Sequence, residues 1–344
     1  PDYHITAIFE DAQGRRWFGT FAGGLARLDS LESDFILYQH DPEQPHSLAY
    51  DHIEAIYQDR SGALWIGTDG GGLDRYDPEL AGFIHQTHQA QDPTSLGINQ
   101  VHAILQDQGG ILWFGTFGAG LARFDPSVMR FGHLVNLPDD PNSPSANFVW
   151  GMTEDRHGTI WIGTIGGGLN RWERKTNTWT HYRHNPDDPD SLAHDTVWML
   201  FEDRQGQLWV GVEGGLDRFD AQTGGFIHHP MPTVWTMLQD RKGDYWLGTF
   251  GGGLVWMDGR GAATRSYLPI PDDPNSLSDN NILALYQDQA GVIWIGTLGN
   301  GVDCLDPLSG VITHYKNQPS DPSSLGNNTV LQFFLDSRGA FWLA

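Results

Sequence analysis

A single ten-residue pattern, Asp-x-x-Gly-x-x-Trp-x-Gly-Thr, recurs along the whole chain and limits the folds open to it more than any other feature. Its tryptophans are Trp17, Trp65, Trp113, Trp161, Trp209, Trp246, Trp294 and Trp342. Successive copies lie 48 residues apart, except that 37 residues separate Trp209 from Trp246. A fixed period of this length marks a repeat architecture in which one supersecondary unit is stacked on the next.

Each unit contains four short strand signals bounded by turn residues. In the second unit they run Ile53 to Gln58, Leu64 to Thr68, Gly72 to Tyr76 and Gly82 to Thr87, and are termed strands A to D. Asp59-Arg60-Ser61-Gly62 forms a tight A–B turn, with Asp to accept backbone N–H groups and Gly to supply positive φ. Asp69-Gly70-Gly71 forms the B–C turn. A longer polar return, such as His88 to Leu96, carries the chain from strand D to the next strand A. No segment has helical periodicity over about ten residues, which excludes a helical solenoid. Four antiparallel strands and one long return per repeat describe the blades of a β-propeller, an all-β fold. Seven complete units predict a seven-bladed ring over residues 1–326. Residues 327–344 begin an eighth repeat, and an eight-bladed ring with an incomplete blade is the alternative. The interval of 37 reflects a shortened return through His228-His229-Pro230-Met231-Pro232, which is expected to leave a gap in one rim.

Composition narrows the function classes. The formal net charge is −23, which disfavours nucleic acid and anionic membrane surfaces as partners, because their phosphates need Lys and Arg opposite them. A single cysteine, Cys304, excludes a disulfide framework and a thiolate metal site. The chain starts in strand-like sequence at Pro1 and stops in another at Phe341-Trp342-Leu343-Ala344, as a piece of a longer protein would.

The unit Asp-x-x-Gly-x-x-Trp-x-Gly-Thr-x-x-Gly-Gly-Leu-x-Arg-x-Asp resembles the two-component regulator propeller repeat. Asp155 to Thr164, followed by Gly167-Gly168-Leu169-Asn170-Arg171, carries it well, as do returns such as Asp187-Asp188-Pro189-Asp190-Ser191-Leu192. The resemblance implies seven-bladed propellers, often in tandem, in the periplasmic or extracellular part of membrane sensors. Their ligands include oligosaccharides, and their outputs are histidine kinases or other signalling domains. It therefore implies a ligand-sensing domain with a downstream signalling partner and no cofactor.

Residues common to every blade are expected to be structural. The strand B tryptophans should pack between sheets, where an indole buries a large apolar area. Arg27, Arg75, Arg123, Arg171 and Arg218 should pair with Asp29, Asp77, Asp125 and Asp220, and the A–B turn Asp should form the turn rather than bind metal. Function is expected where the repeat is broken. The second residue of strand A reads Thr6, Glu54, His102, Trp150, Trp198, Trp235, Leu283 and Leu331. Trp150, Trp198 and Trp235 offer an aromatic wall opposite the polar Glu54 and His102, a combination suited to the C–H face and hydroxyl edge of a sugar. Packing within the channel or between blades is the competing role for these tryptophans. The B–C turns add Phe21, Asp69, Phe117, Glu213 and Phe250, either as ligand-orienting groups or as rim packing. Asn99, Asn147, Asn280 and Asn281 either donate to ligand hydroxyls or cap turns.

Catalysis finds little support. The histidines show no metal spacing on a shared element, and no metal site is expected. Glu54 with Asp69, or Asp69 with Glu213, would be the glycosidase pairs, and His102 the lyase base. The returns Asp139-Asp140-Pro141-Asn142 and Asp272-Asp273-Pro274-Asn275 read as loop punctuation rather than calcium ligands. The expected function is binding of a small molecule, perhaps an oligosaccharide; a protein-interaction scaffold or homodimerisation propeller is the second class.

Overall fold

The computed structural model describes residues 4–30, 34–126, 130–262 and 264–344; the expected start of the propeller at Pro1 lies outside them. Seven four-stranded antiparallel sheets follow one another at residues 5–38, 53–86, 101–134, 149–182, 197–230, 234–267 and 282–315. Each runs in the sequential order A-B-C-D, and no helix occurs among the described residues. The fold is a seven-bladed β-propeller. A two-stranded pair, Phe333–Leu335 with Phe341–Leu343, follows the seventh blade.

The chain divides into two compact units, Pro1–Leu200 and Phe201–Ala344. In the first, the hydrophobic core lies between successive sheets. Trp17 and Leu25 of blade 1 bury against Ile53, Leu64, Ile66, Tyr76 and Phe83 of blade 2. Trp65 and Leu73 do the same against blade 3, and Trp113 and Leu121 against blade 4. In blades 1 to 3 the strand B tryptophan meets a strand C aromatic of the next blade. The ring centroids are 5.0 Å apart for Trp17–Tyr76, 5.4 Å for Trp65–Phe124 and 4.8 Å for Trp113–Trp172. In the second unit, Trp246 and Leu254 pack on Ile293 and Leu305 in the same way.

Two features of the motif explain this packing. The A–B turn aspartate accepts the indole N–H of its own tryptophan in all eight copies, at 2.8 Å for Asp59–Trp65 and 2.7 Å for Asp107–Trp113. Its other oxygen takes backbone N–H groups of the turn, such as those of Ser61 and Ala63 on Asp59 Oδ1. The glycine of Trp-x-Gly-Thr then leaves room for the next strand A. A Cβ on Gly67 would stand 2.7 Å from the Val101 carbonyl oxygen, and one on Gly163 would stand 2.6 Å from Val197 Cγ1.

Three details depart from the sequence reading. Strand C of blade 2 is Leu73–Asp77, one residue later than expected, because Gly72 turns with φ +83° and cannot extend the strand. His228, His229 and Pro230 belong to strand D of blade 5, Gly225–Pro230, so the short return is confined to residues 231–233. The strand C arginines also lie over indole faces, and the pairing with the carboxylate two residues on is seen for Arg27 and, with Glu173 at 3.5 Å, for Arg171. Arg27, Arg123, Arg171 and Arg218 stack on Trp17, Trp113, Trp161 and Trp209 at 5.5–5.9 Å. Arg27 also pairs with Asp29 at 2.8 Å, whereas Asp77 and Asp220 accept N–H groups of the C–D turn.

The strand D histidines anchor the returns. His85 contacts buried Asp74 through Nδ1 at 2.6 Å and the Pro45 carbonyl through Nε2 at 3.0 Å, while Asp74 also accepts the Ala49 N–H. His314, Asp303, Pro274 and Ser278 repeat this arrangement. Both partners of the His85 ring are acceptors, so the imidazolium serves them best, and the hydrogen bond to Asp74 raises the His85 pKa above its ordinary 6.5. Cys304 is buried, and its thiol is pushed up to about 12 by burial and by Asp303 and Asp288.

Two predictions follow from these contacts. Asp107→Ala strands an indole N–H and a turn N–H in the core, and should lower stability by about 2–4 kcal/mol in denaturant unfolding. Because the His85 pKa is raised on folding, its contribution is complete below about pH 6.5 and fades as pH rises through the raised value. The melting temperature gap between the chain and His85→Gln should therefore be widest in mild acid and narrow at alkaline pH.

Candidate functional site

The second residue of strand A is the extra residue of a β-bulge. Pairing with strand B skips Thr6, Glu54, His102, Trp150, Trp235 and Leu283 in blades 1, 2, 3, 4, 6 and 7. A bulged residue leaves the ladder and is re-aimed, so the position escapes the packing rules that fix the rest of the blade. Just before it, the residue preceding strand A is tied to the B–C turn of its own blade. The Phe21 N–H donates to the His4 carbonyl at 2.9 Å, and the Asp69 N–H to the His52 carbonyl at 3.0 Å. The same turn also bridges to the next blade, pairing Asp69 with Gln100 and Phe117 with Phe148.

These constraints gather a continuous row of side chains in the first unit. Phe21 packs on the His52 ring at 4.3 Å. His52 approaches Glu54 Oε1 through Nε2 at 3.0 Å and Asp69 Oδ2 through Nδ1 at 3.4 Å. Gln100 donates to Asp69 Oδ1 at 2.8 Å. His102 Nδ1 lies 3.2 Å from Glu54 Oε2, and the His102 ring meets Phe117 at 5.2 Å and stacks toward Trp150 at 6.4 Å. Trp150 makes an edge contact with Trp198 at 5.2 Å. Phe21 and Phe148 are exposed, and the His, Glu, Asp and Trp members are half-buried, so the row is open to a ligand.

Seven of the sequence candidates thus come together: Phe21, Glu54, Asp69, His102, Phe117, Trp150 and Trp198. In the second unit, Trp235 and Phe250 form their own pair at 6.5 Å, and Glu213 is exposed on its turn. The asparagines hold the returns: Asn99 Oδ1 accepts the His88 N–H and Asn147 Oδ1 the Asn136 N–H, each at 2.6 Å. Asp140 and Asp273 accept the N–H groups of Asn142 and Asn275, as turn-formers do. Sequence reasoning missed His52, Gln100 and Phe148. All three precede strand A, where the repeat reads as turn, although their variation from blade to blade was visible.

A cavity of about 670 Å³ lies elsewhere, under the first return, lined by residues such as Tyr38, His40, Pro45 and Leu80. Its walls are repeat-conforming loop residues rather than members of the row.

The family model for the two component regulator propeller matches residues 47–70, 95–118, 143–166, 191–214, 230–251 and 276–299. The chain carries two-component regulator propeller repeats. Each matched segment runs from the end of a return through strands A and B to the B–C turn, the stretch that contains the Asp–Trp bond and the bulge. Among curated proteins none matches the chain. Solved structures share the fold at low identity. The extracellular domain of BT3049 from B. thetaiotaomicron, assigned to a hybrid two component system, aligns with TM-score 0.65 and 22% identity, over 100% of this chain and 50% of that one. PorZ, a surface component of the type-IX secretion system of Porphyromonas gingivalis, aligns with TM-score 0.61 and 18% identity, over 90% and 51%. Virginiamycin B lyase from Staphylococcus aureus aligns with TM-score 0.56 and 14% identity, over 86% and 92%. The chain spans about half the length of the first two.

The carboxylate of Glu54 joins two imidazoles, whereas Asp69 touches one. In ¹⁵N-resolved histidine spectra, Glu54→Ala should shift the ring signals of both His52 and His102. Asp69→Ala should shift His52 with little change at His102.

Proposed function

We propose that this propeller is the ligand-recognition domain of a membrane sensor of the two-component type, and that the row from Phe21 to Trp198 is its recognition surface. The observation that carries the reading is the bulge. It turns a variable residue out of the ladder, and in consecutive blades those residues are Glu54, His102 and Trp150, the last in edge contact with Trp198. Indole faces take the C–H face of a pyranose, and carboxylate and imidazole edges take its hydroxyls, so the ligand class proposed is an oligosaccharide. The family of the repeats and the extracellular origin of the BT3049 domain support placement on the periplasmic or extracellular side. An output domain would lie in the remainder of a longer protein, and residues 327–344 would begin an eighth repeat.

A non-catalytic role fits the same geometry. Glu54 and Asp69 approach opposite nitrogens of the His52 ring, which occupies the space a glycosidic bond would need. A second reading, a protein-docking or homodimerisation propeller, is favoured by the exposure of Phe21 (55%) and Phe148 (42%) beside the row.

Calorimetric titration against an oligosaccharide panel separates the readings. Saturable binding weakened at least about 10-fold by Trp150→Ala and by Trp198→Ala, with the circular dichroism retained, is the expected result. Absence of binding across the panel, together with a concentration-dependent dimer that Phe21→Ser dissociates in light scattering, would favour the docking reading.

A further inference from the structure

Blade 2 differs from every other blade at three linked positions. The residue before strand A, the bulged residue and the B–C turn residue are His52, Glu54 and Asp69. The corresponding sets are His4, Thr6 and Phe21 in blade 1, Gln100, His102 and Phe117 in blade 3, and Phe148, Trp150 and Ile165 in blade 4. Only blade 2 has a metal-ligating side chain at all three. From the sequence no metal site is expected, because the histidines show no metal spacing on a shared element.

The fold brings them together. One ring nitrogen of His52 and one oxygen from each of Glu54 and Asp69 lie within 4.8 Å of one another. The backbone beneath is rigid: the Asp69 N–H is bonded to the His52 carbonyl, and the bulge fixes Glu54 beside it. The second oxygen of each carboxylate is held by a further side chain, Glu54 Oε2 by His102 at 3.2 Å and Asp69 Oδ1 by Gln100 at 2.8 Å. Outer partners of this kind orient ligating carboxylates in metal sites. His102 Nε2 is buried and has no hydrogen-bond partner among the described residues, while Nδ1 of the same ring faces Glu54.

We propose that His52, Glu54 and Asp69 bind a divalent cation of the zinc class, with Gln100 and His102 positioning the two carboxylates. One imidazole and two carboxylates make a mixed nitrogen–oxygen set of three protein ligands, which leaves a coordination position for water or a ligand oxygen. Calcium, which takes about six to eight oxygens, is poorly served by it. Ligand atoms around tetrahedral zinc stand about 3.3–3.5 Å apart for bonds of about 2.0–2.2 Å. With one His52 nitrogen as ligand the three ligand atoms lie within 4.8 Å of one another, so metal binding draws them closer together. Because the carboxylates contact opposite ring nitrogens, binding brings one of them round to the nitrogen used by the other, a side-chain movement on a fixed backbone. The protein's net charge of −23 adds a long-range attraction for the cation. The site shares Glu54, Asp69 and His102 with the row proposed for the oligosaccharide, whereas Trp150 and Trp198 lie outside it.

The test is calorimetric titration of the chelator-treated chain with Zn²⁺, with Co²⁺ absorption as a second readout. Binding of one Zn²⁺ per chain is expected, with intense visible Co²⁺ bands of a four-coordinate site and a metal-dependent rise in melting temperature. His52→Gln, Glu54→Gln and Asp69→Asn should each weaken binding by at least about 100-fold, and Gln100→Ala or His102→Ala by about 10-fold. Far-ultraviolet circular dichroism confirms that each variant is folded; any variant that is not is replaced by the corresponding Ser substitution. No stoichiometric binding, or binding that the three ligand substitutions leave unchanged, would overturn the site. Running the oligosaccharide titration in chelator and again with Zn²⁺ keeps failure of the metal site distinct from failure of sugar recognition.

Discussion

The hydrogen bond from each strand B indole to the aspartate of its own A–B turn organises the blade. The aspartate is almost fully buried in most copies, at 6% exposure for Asp59 and 0% for Asp107. A buried carboxylate is costly unless its lone pairs are filled, and here one oxygen takes the indole N–H and the other takes turn N–H groups. The charge thus sets the turn, and the turn sets the indole. The indole then packs toward the next sheet, under an arginine in several blades and, in blades 1 to 3, against the strand C aromatic of the neighbour. The glycine two residues after the tryptophan completes the joint by admitting the next strand A at backbone distance.

The A–B end of each blade is bound further by contacts from its neighbour. Gln58 accepts the Ala12 N–H and Gln106 the Arg60 N–H, so the last residue of strand A grips the preceding turn in these blades. The opposite end works differently. There the chain is held through backbone groups: the pre-strand carbonyl accepts the turn N–H, and a bulge relaxes the ladder. Backbone bonds do not restrict residue type. At that end the Thr of the motif and the turn glycines stay constant, Thr68 Oγ1 donating to the Gly72 carbonyl, while the pre-strand, bulged and first turn positions vary from blade to blade. The row from Phe21 to Trp198 and the His52–Glu54–Asp69 cluster both lie at the end that carries these variable positions.

Histidine shows how residue type alone divides poorly into roles. His85 and His314 look no different in sequence from His52 and His102. The first two reach back from strand D to a return and hold it through a buried aspartate and a carbonyl. The second two stand beside half-buried carboxylates at the variable end. The asparagines divide similarly: Asn99 and Asn147 look like donors for a sugar but accept loop N–H groups 11 residues earlier in the chain.

The blade itself was legible in the sequence, because strand period, turn glycines and the Asp–Trp spacing are local and recur in each copy. Trp150, Trp198, Glu54 and His102 stood out for a related reason: variation at one register of an otherwise constant repeat needs no coordinates to see. Their contacts were another matter. His102 meets Glu54 and Trp150 across separations of 48 residues, and His52 reaches Asp69 across two strands and the turn between them. Whether such side chains converge depends on how blades pack laterally and on the direction a bulged Cβ takes, and neither is encoded by local spacing. The sequence by itself determined the repeat, the blade and the positions free to vary; the tertiary structure decided which of those positions touch, because lateral packing and the bulge set where their side chains point.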